Sequence, residues 1–141
     1  MSDPRQDPRR FRTRVRVRWS DMDAFGHLNH ARALTLLEEA RLDWLFDDAA
    51  RDRAAGIAEG VVVARLDAQY LRPIRFGDPV SVSLGVTAVA AGSATVDYRV
   101  LVEDRLALTA GTQLVPVDPA SFRPRRWSAG ERSFLTDYLA G

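Results

Sequence analysis

Cysteine is absent from this 141-residue chain, and so is lysine: all 20 basic residues are arginine. Without cysteine there is no disulfide framework, no thiolate zinc site and no thiol nucleophile. Without lysine there is no Schiff-base chemistry. No apolar run reaches the roughly 20 residues that a membrane-spanning helix needs, so no membrane partner is expected. The opening residues MSDPRQDPRRF lack the apolar segment of a secretory signal. The expected location is the cytoplasm. Net charge is only +1, which gives no general affinity for nucleic acid. There is no G-x-S-x-G, no G-x-G-x-x-G and no P-loop, which disfavours serine-hydrolase, dinucleotide-redox and phosphoryl-transfer chemistry.

What is present is enough apolar residue, 46% of the chain, to fill one core. Residues 1–9 are polar with two Asp-Pro pairs and read as a flexible leader. Residues 10–141 read as a single domain. Phe11, Thr13, Val15, Val17 and Trp19 alternate with Arg10, Arg12, Arg14, Arg16 and Arg18, the period of a half-buried strand with a charged, solvated outer face. Ala33, Leu34, Leu37, Ala40, Trp44 and Leu45 then recur at spacings of three and four, which predicts one long helix from about His30 to Arg53. Gly56 and Gly60 bracket its exit.

From Val61 the alternation returns. Strands are expected over Val61–Tyr70, from Val80, from Ala94 and over Leu106–Val117. Turn signals separate them at Phe76–Pro79, Ala91–Ser93 and Glu103–Arg105. Three close hairpin connections imply an antiparallel meander. Ser128 and Glu131 fit a capping box that opens a short C-terminal helix. The order strand, long helix, four strands, short helix is an α+β layer architecture. One sheet around one helix leaves edges to cover, so a dimer is expected.

The chemistry concentrates in Asp21–His30, DMDAFGHLNH, which holds two acids, a glycine and both histidines. This polar loop hands the chain to the helix, with Asn29 as N-cap. First-turn helix amides have no intrahelical partner, and the dipole is positive there. Asp23 stands just upstream, so a base or nucleophile is set beside an oxyanion site. The bland alternative for Asp23 is a turn residue. Asp21 reads as structural. His27 and His30 with the two acids are ligand types for zinc or iron, but the loop fixes no ligand geometry and no metal is expected. Glu38 and Arg41 lie one turn apart and are expected to pair.

The run VRWSDMDAFGHLNHARALTLLEEAR resembles the opening motif of the hotdog-fold acyl-CoA thioesterases, more narrowly the 4-hydroxybenzoyl-CoA thioesterase-like branch. The pattern D-x-D-x-x-G-H-x-N followed by a helical E-x-A-R is matched by Asp21, Asp23, Gly26, His27, Asn29, Glu38, Ala40 and Arg41. A second match is Tyr70 to Asp78, YLRPIRFGD. The likeness spans about residues 11 to 125. It implies a hotdog fold, with the long helix wrapped by a five-stranded antiparallel sheet, assembled as homodimers or homotetramers with sites at the subunit interface. It implies hydrolysis of an acyl-CoA thioester without a cofactor, Asp23 acting as nucleophile or general base and the backbone amide near His30 polarising the carbonyl. Glu38 is the rival base. Gly26, His27, Asn29, Tyr70, Arg72 and Phe76 are the substrate-binding candidates. Arg72, Arg75, Arg123, Arg125 and Arg126 are candidates for coenzyme A phosphates. Where many relatives carry an aromatic residue in the helix, this chain has Ala33 and Leu34. The competing functions are a non-catalytic acyl-CoA binding or sensing module and a hotdog hydratase or dehydratase.

Overall fold

The computed structural model describes residues 7–54, 56–57 and 59–140, so residues 1–6 of the expected leader lie outside it. The chain runs β1 (Phe11–Val15), a 3₁₀ turn (Trp19–Asp21), α1 (His30–Leu45), α2 (Asp48–Ala54), β2 (Val61–Tyr70), β3 (Val80–Ala90), β4 (Ser93–Val102), β5 (Arg105–Pro116) and α3 (Ala129–Asp137). The strands form one antiparallel sheet in the order β1-β3-β4-β5-β2. With α1 packed on one face and α3 closing one end, this is the expected hotdog arrangement.

The core is the seam between α1 and the inward rows of β3, β4 and β5. Leu37, Ala40 and Trp44 of α1 are fully buried, as are Val82, Leu84 and Val86 of β3, Val96 of β4 and Leu114 of β5. Leu36 is buried and Leu34 only partly so, a shift of the helix stripe from the expected set. Trp44 reaches Phe134 and Tyr138 with ring centroids 5.2 and 5.3 Å away, which locks α3 onto α1. Such contacts add ~0.5–1.5 kcal/mol per pair beyond area burial.

Several expectations change. The long helix is two helices: α1 ends where the Phe46 N–H turns back to Leu42 O and Trp44 O, and α2 starts at Asp48. Apolar spacing alone does not register a change of axis. Only two of the three connections are hairpins, those at Ala91–Gly92 and Glu103–Asp104, the latter with both residues in the left-handed region that a two-residue type I′ loop requires. The third, residues 71–79, does turn at Phe76–Pro79, but it carries the chain across the end of the sheet from one edge region to the other. Finally, the arginine row is not all solvated. Arg10 donates bidentately from one nitrogen to Asp97 at 3.0 Å and bonds Ser83 through Nε and Nη2, lying flat over Gly85. A Cβ at Gly85 would stand 2.8 Å from that guanidinium, so glycine is what admits it. Past Val15 the strand pattern fails too: Val17 is buried, but Trp19 sits in the 3₁₀ turn and is exposed.

The capping box at α3 is present. The Ser128 hydroxyl accepts from Glu131 N–H at 3.1 Å, and Glu131 accepts from Ser128 N–H at 2.8 Å. Glu131 also takes both Arg125 nitrogens at 2.7 and 2.8 Å. The Arg125 bonds hold its pKa below the ordinary carboxylate value, against a burial that pushes it up. A depressed folded-state pKa stabilises fully above the unfolded value of about 4.3, and that contribution is lost as pH falls through the folded-state value. Glu131→Gln is therefore expected to lose about 2 kcal/mol at neutral pH, the scale of a charged hydrogen bond. It should also show a flatter stability curve on the acid side. Urea unfolding of both proteins at neutral and acid pH checks both.

Candidate functional site

The loop between the 3₁₀ turn and α1 is fixed almost entirely by its own short polar side chains. Asp21 Oδ2 accepts from Arg18 N–H at 2.8 Å, and the Asp21 carbonyl accepts from Asn29 N–H at 2.8 Å. Asp21 is thus structural, as expected. Asp23 N–H donates to the His27 carbonyl at 2.7 Å and Gly26 N–H to the Asp23 carbonyl at 3.2 Å, closing a tight turn. Gly26 takes φ +78°, which glycine adopts without strain. Asp23 Oδ1 accepts from Phe25 N–H at 2.9 Å and His27 N–H at 3.2 Å. Oδ2 has no protein partner among the described residues. Asp23 is therefore a turn-former through one oxygen.

Asn29 caps α1 as expected, its Oδ1 accepting from Ala31 N–H at 2.8 Å and Arg32 N–H at 3.3 Å. The His30 N–H is outside that cap. The crossing segment holds the loop from the far side: Leu28 N–H donates to the Ile74 carbonyl at 2.7 Å, and His27 bridges Arg75 through the backbone.

These elements line an open cavity of about 320 Å³. Leu28, Ala33, Ile74 and Leu108 give it an apolar floor; Asp23, His27, His30, Tyr70 and Arg72 give it a polar rim. An apolar slot with a few converging polar groups is the usual form of a small-molecule site. Ala33 contributes only a methyl group to that lining. The Tyr70 hydroxyl donates to the His30 carbonyl at 2.5 Å. Partial burial raises the Tyr70 pKa above its ordinary value.

The remaining candidates fall elsewhere. Gly26 shapes the turn and Asn29 the cap, and neither lines the cavity. Phe76 stands edge-to-face on Trp19, centroids 5.3 Å apart, beside a separate groove along β1. Glu38 is exposed and, by helix rise, about 12 Å along the axis from the first turn. It makes no pair with Arg41, whose Nη1 instead donates to Tyr98 Oη at 3.3 Å; that hydroxyl is 2.9 Å from Thr112 Oγ1. A buried pair of hydroxyls needing a further donor outcompetes an exposed carboxylate. Among the described residues no group of three histidines, acids or cysteines is arranged to hold a metal. Arg125 is committed to Glu131, while Arg72 is exposed and lines the cavity. Sequence reasoning missed the cavity floor, because Ala33, Ile74 and Leu108 converge only in space.

One antiparallel sheet packed on a long helix, with a pocket lined by Asp23 and His30 where that helix starts, is the arrangement of the hotdog-fold class of domains. The comparisons agree. The family model of the thioesterase-like superfamily matches residues 17–130. The acyl-CoA thioester hydrolase YbgC of Escherichia coli O6:H1 is 31% identical over 118 residues, 82% of this chain and 87% of that one. A thioesterase from Thermus thermophilus, solved with coenzyme A and zinc, superposes with TM-score 0.78 at 29% identity, covering 90% of this chain and 93% of the other. The DHNA-CoA thioesterase of Staphylococcus aureus shares the fold, with TM-score 0.75 at 24% identity over 92% and 88% of the two chains. The chain belongs to the thioesterase-like superfamily and is a thioesterase.

The cap carries a measurable share of this arrangement. Asn29→Ala is expected to cost about 1 kcal/mol, the usual worth of an N-cap, while Asn29→Asp retains the acceptor and most of the stability. Denaturant midpoints of the two variants against the parent check this.

Proposed function

We propose that the protein hydrolyses an acyl-CoA thioester to the free acid and coenzyme A, with Asp23 as the reacting carboxylate and the His30 amide as the oxyanion donor. The observation that carries this reading is the shared cavity: Asp23 keeps Oδ2 uncommitted there, and Asn29 caps the next two amides but not that of His30. The choice of coenzyme A thioester is supported by the E. coli relative and by the coenzyme A held in the Thermus structure. Arg72, exposed and lining the cavity, is suited to a coenzyme A phosphate.

The chemistry follows from the geometry. The thioester carbonyl enters with its oxygen toward the start of α1, where the amide and the dipole stabilise the developing negative charge. Asp23 either attacks the carbonyl carbon to give a mixed anhydride or takes a proton from an attacking water. In both routes the C–S bond breaks and the coenzyme A thiolate leaves and is protonated; in the first, water then cleaves the anhydride, releasing the free acid and restoring the Asp23 carboxylate, and in the second the attacking water supplies the acid's new oxygen directly. Trapping of an acyl-enzyme with hydroxylamine separates the two.

Asp23→Asn removes the base or nucleophile at nearly constant size, and kcat is expected to fall by about 10²–10⁴. KM should change little, since the slot is intact. Glu38→Gln should stay close to the parent, because Glu38 is exposed and remote from the slot. Free-thiol release across a panel of acyl-CoAs, with thermal unfolding of each variant, is the measurement. An active Asp23→Asn with a folded, dead Glu38→Gln would move the base onto the helix.

The working unit we propose is a dimer paired through β2. That strand has only one sheet neighbour, β5, and in the single chain it exposes Val62, Val63, Leu66 and Tyr70. An unpaired, apolar edge strand invites an antiparallel copy of itself about a two-fold axis. Tyr70 ends that strand, Leu71 follows it and both line the cavity, so the second copy would stand beside the site. Light scattering at micromolar concentration should give a dimer or tetramer mass, and Leu66→Glu should shift it toward monomer. A parent protein that runs as a monomer overturns this.

A further inference from the structure

Tyr70 is the last residue of β2, and it reaches back to the first residue of α1. Its hydroxyl donates to the His30 carbonyl at 2.5 Å, and the two rings meet edge to face with centroids 6.2 Å apart. A carbonyl in the first turn of a helix ordinarily serves only the N–H four residues on. Here it has a second donor from a different element. On the other side of the same turn Asn29 Oδ1 holds the Ala31 and Arg32 amides, and Asn29 N–H is itself tied to Asp21. The His30–Ala31 peptide is thus pinned on both sides, its carbonyl by Tyr70 and its N–H by Asn29, and the His30 N–H lies on the adjoining peptide of the same turn. An oxyanion donor works by being aimed, before reaction, at the place where charge will develop rather than at the ground-state oxygen. Small misalignments cost rate more than binding.

We infer that Tyr70 is a positioning residue: its hydroxyl fixes the first turn of α1 so that the His30 amide points at the developing oxyanion, and it acts on kcat rather than on substrate affinity. This rests on the reading of His30 as the oxyanion donor. Tyr70 was a substrate-binding candidate from sequence, and the geometry gives its hydroxyl a different partner. The raised phenol pKa keeps it a donor through the working pH range.

The test uses the full-length protein and the acyl-CoA of a short panel, butyryl- and benzoyl-CoA included, that the parent hydrolyses fastest. Tyr70→Phe keeps the ring and deletes the donor. Expected is a drop in kcat of about tenfold to a hundredfold, less than the loss of a direct oxyanion donor, with KM changed by less than about twofold. The second variant carries a fluorinated tyrosine at position 70. Its more acidic hydroxyl ionises at lower pH and then ceases to donate, so an alkaline limb in kcat should appear that the parent lacks. An unchanged kcat in Tyr70→Phe, or a raised KM at unchanged kcat, overturns the inference, the latter in favour of direct substrate contact. If Tyr70→Phe fails to fold, the fluorinated protein decides, and a flat kcat there overturns it equally. The two readings fail separately. An active Asp23→Asn removes Asp23 from the chemistry and leaves the Tyr70 result standing, whereas full kcat in Tyr70→Phe leaves the Asp23 assignment intact.

Discussion

The burial of α1 against the curved sheet is the constraint from which the rest follows. Leu37, Ala40 and Trp44 have no solvent exposure, and they meet Val82, Leu84, Val86, Val96 and Leu114 across the seam. Removing large side chains from such a seam costs roughly 2–5 kcal/mol each, because the surroundings relax only partly. Once that helix is seated, its first turn has one place to be: at the end of the sheet, under the crossing segment of residues 71–79. The loop before the helix, the cavity beside it and the direction of the His30 amide are all set by that placement. The geometry of the proposed site is thus inherited from the core rather than built by the loop alone.

Polar groups close the places where the apolar seam stops. Arg10 lies over Gly85 to meet Asp97 on the outer face, and Arg125 meets Glu131 at the base of α3. Both pairs are partly buried and carry additional hydrogen bonds, the condition under which a buried ion pair repays its desolvation. Removing one partner would strand the other, so these arginines are unavailable to a ligand. That separates them from Arg72, which is exposed and lines the cavity. In a chain whose cations are all arginine, geometry decides which of them bind structure and which are left for a substrate.

The loop Asp21–Asn29 shows how one side chain type serves two purposes. Asp21 and Asn29 spend their oxygens on backbone amides. Asp23 spends one and keeps the other. The amides that hold Oδ1 orient the carboxylate without neutralising it, so the free oxygen is presented at a fixed angle. Tyr70 then joins the helix start to the edge strand, placing the proposed reaction centre and the proposed dimer edge in one hydrogen-bonded unit.

The sequence by itself determined the local and periodic features. The strand alternation, the Asn29 cap, the Ser128–Glu131 box, the turns at Ala91–Gly92 and Glu103–Asp104, and the Asp-rich loop before a helix all depend on neighbours a few residues apart. Short-range sterics and hydrogen bonds express them directly. The opening motif also carried the family. Tertiary structure alone decided which strands pair, because a turn signal says where the chain bends and not which strand lies beside it; hence the crossing of residues 71–79 read as a hairpin. It decided that Arg41 serves Tyr98 rather than Glu38, since the buried hydroxyl lies 57 residues away in the chain. It assembled the cavity floor from Ala33, Ile74 and Leu108, and it brought Tyr70 to His30. Contacts of that range exist only after the helix is buried, and no local pattern in the chain encodes them.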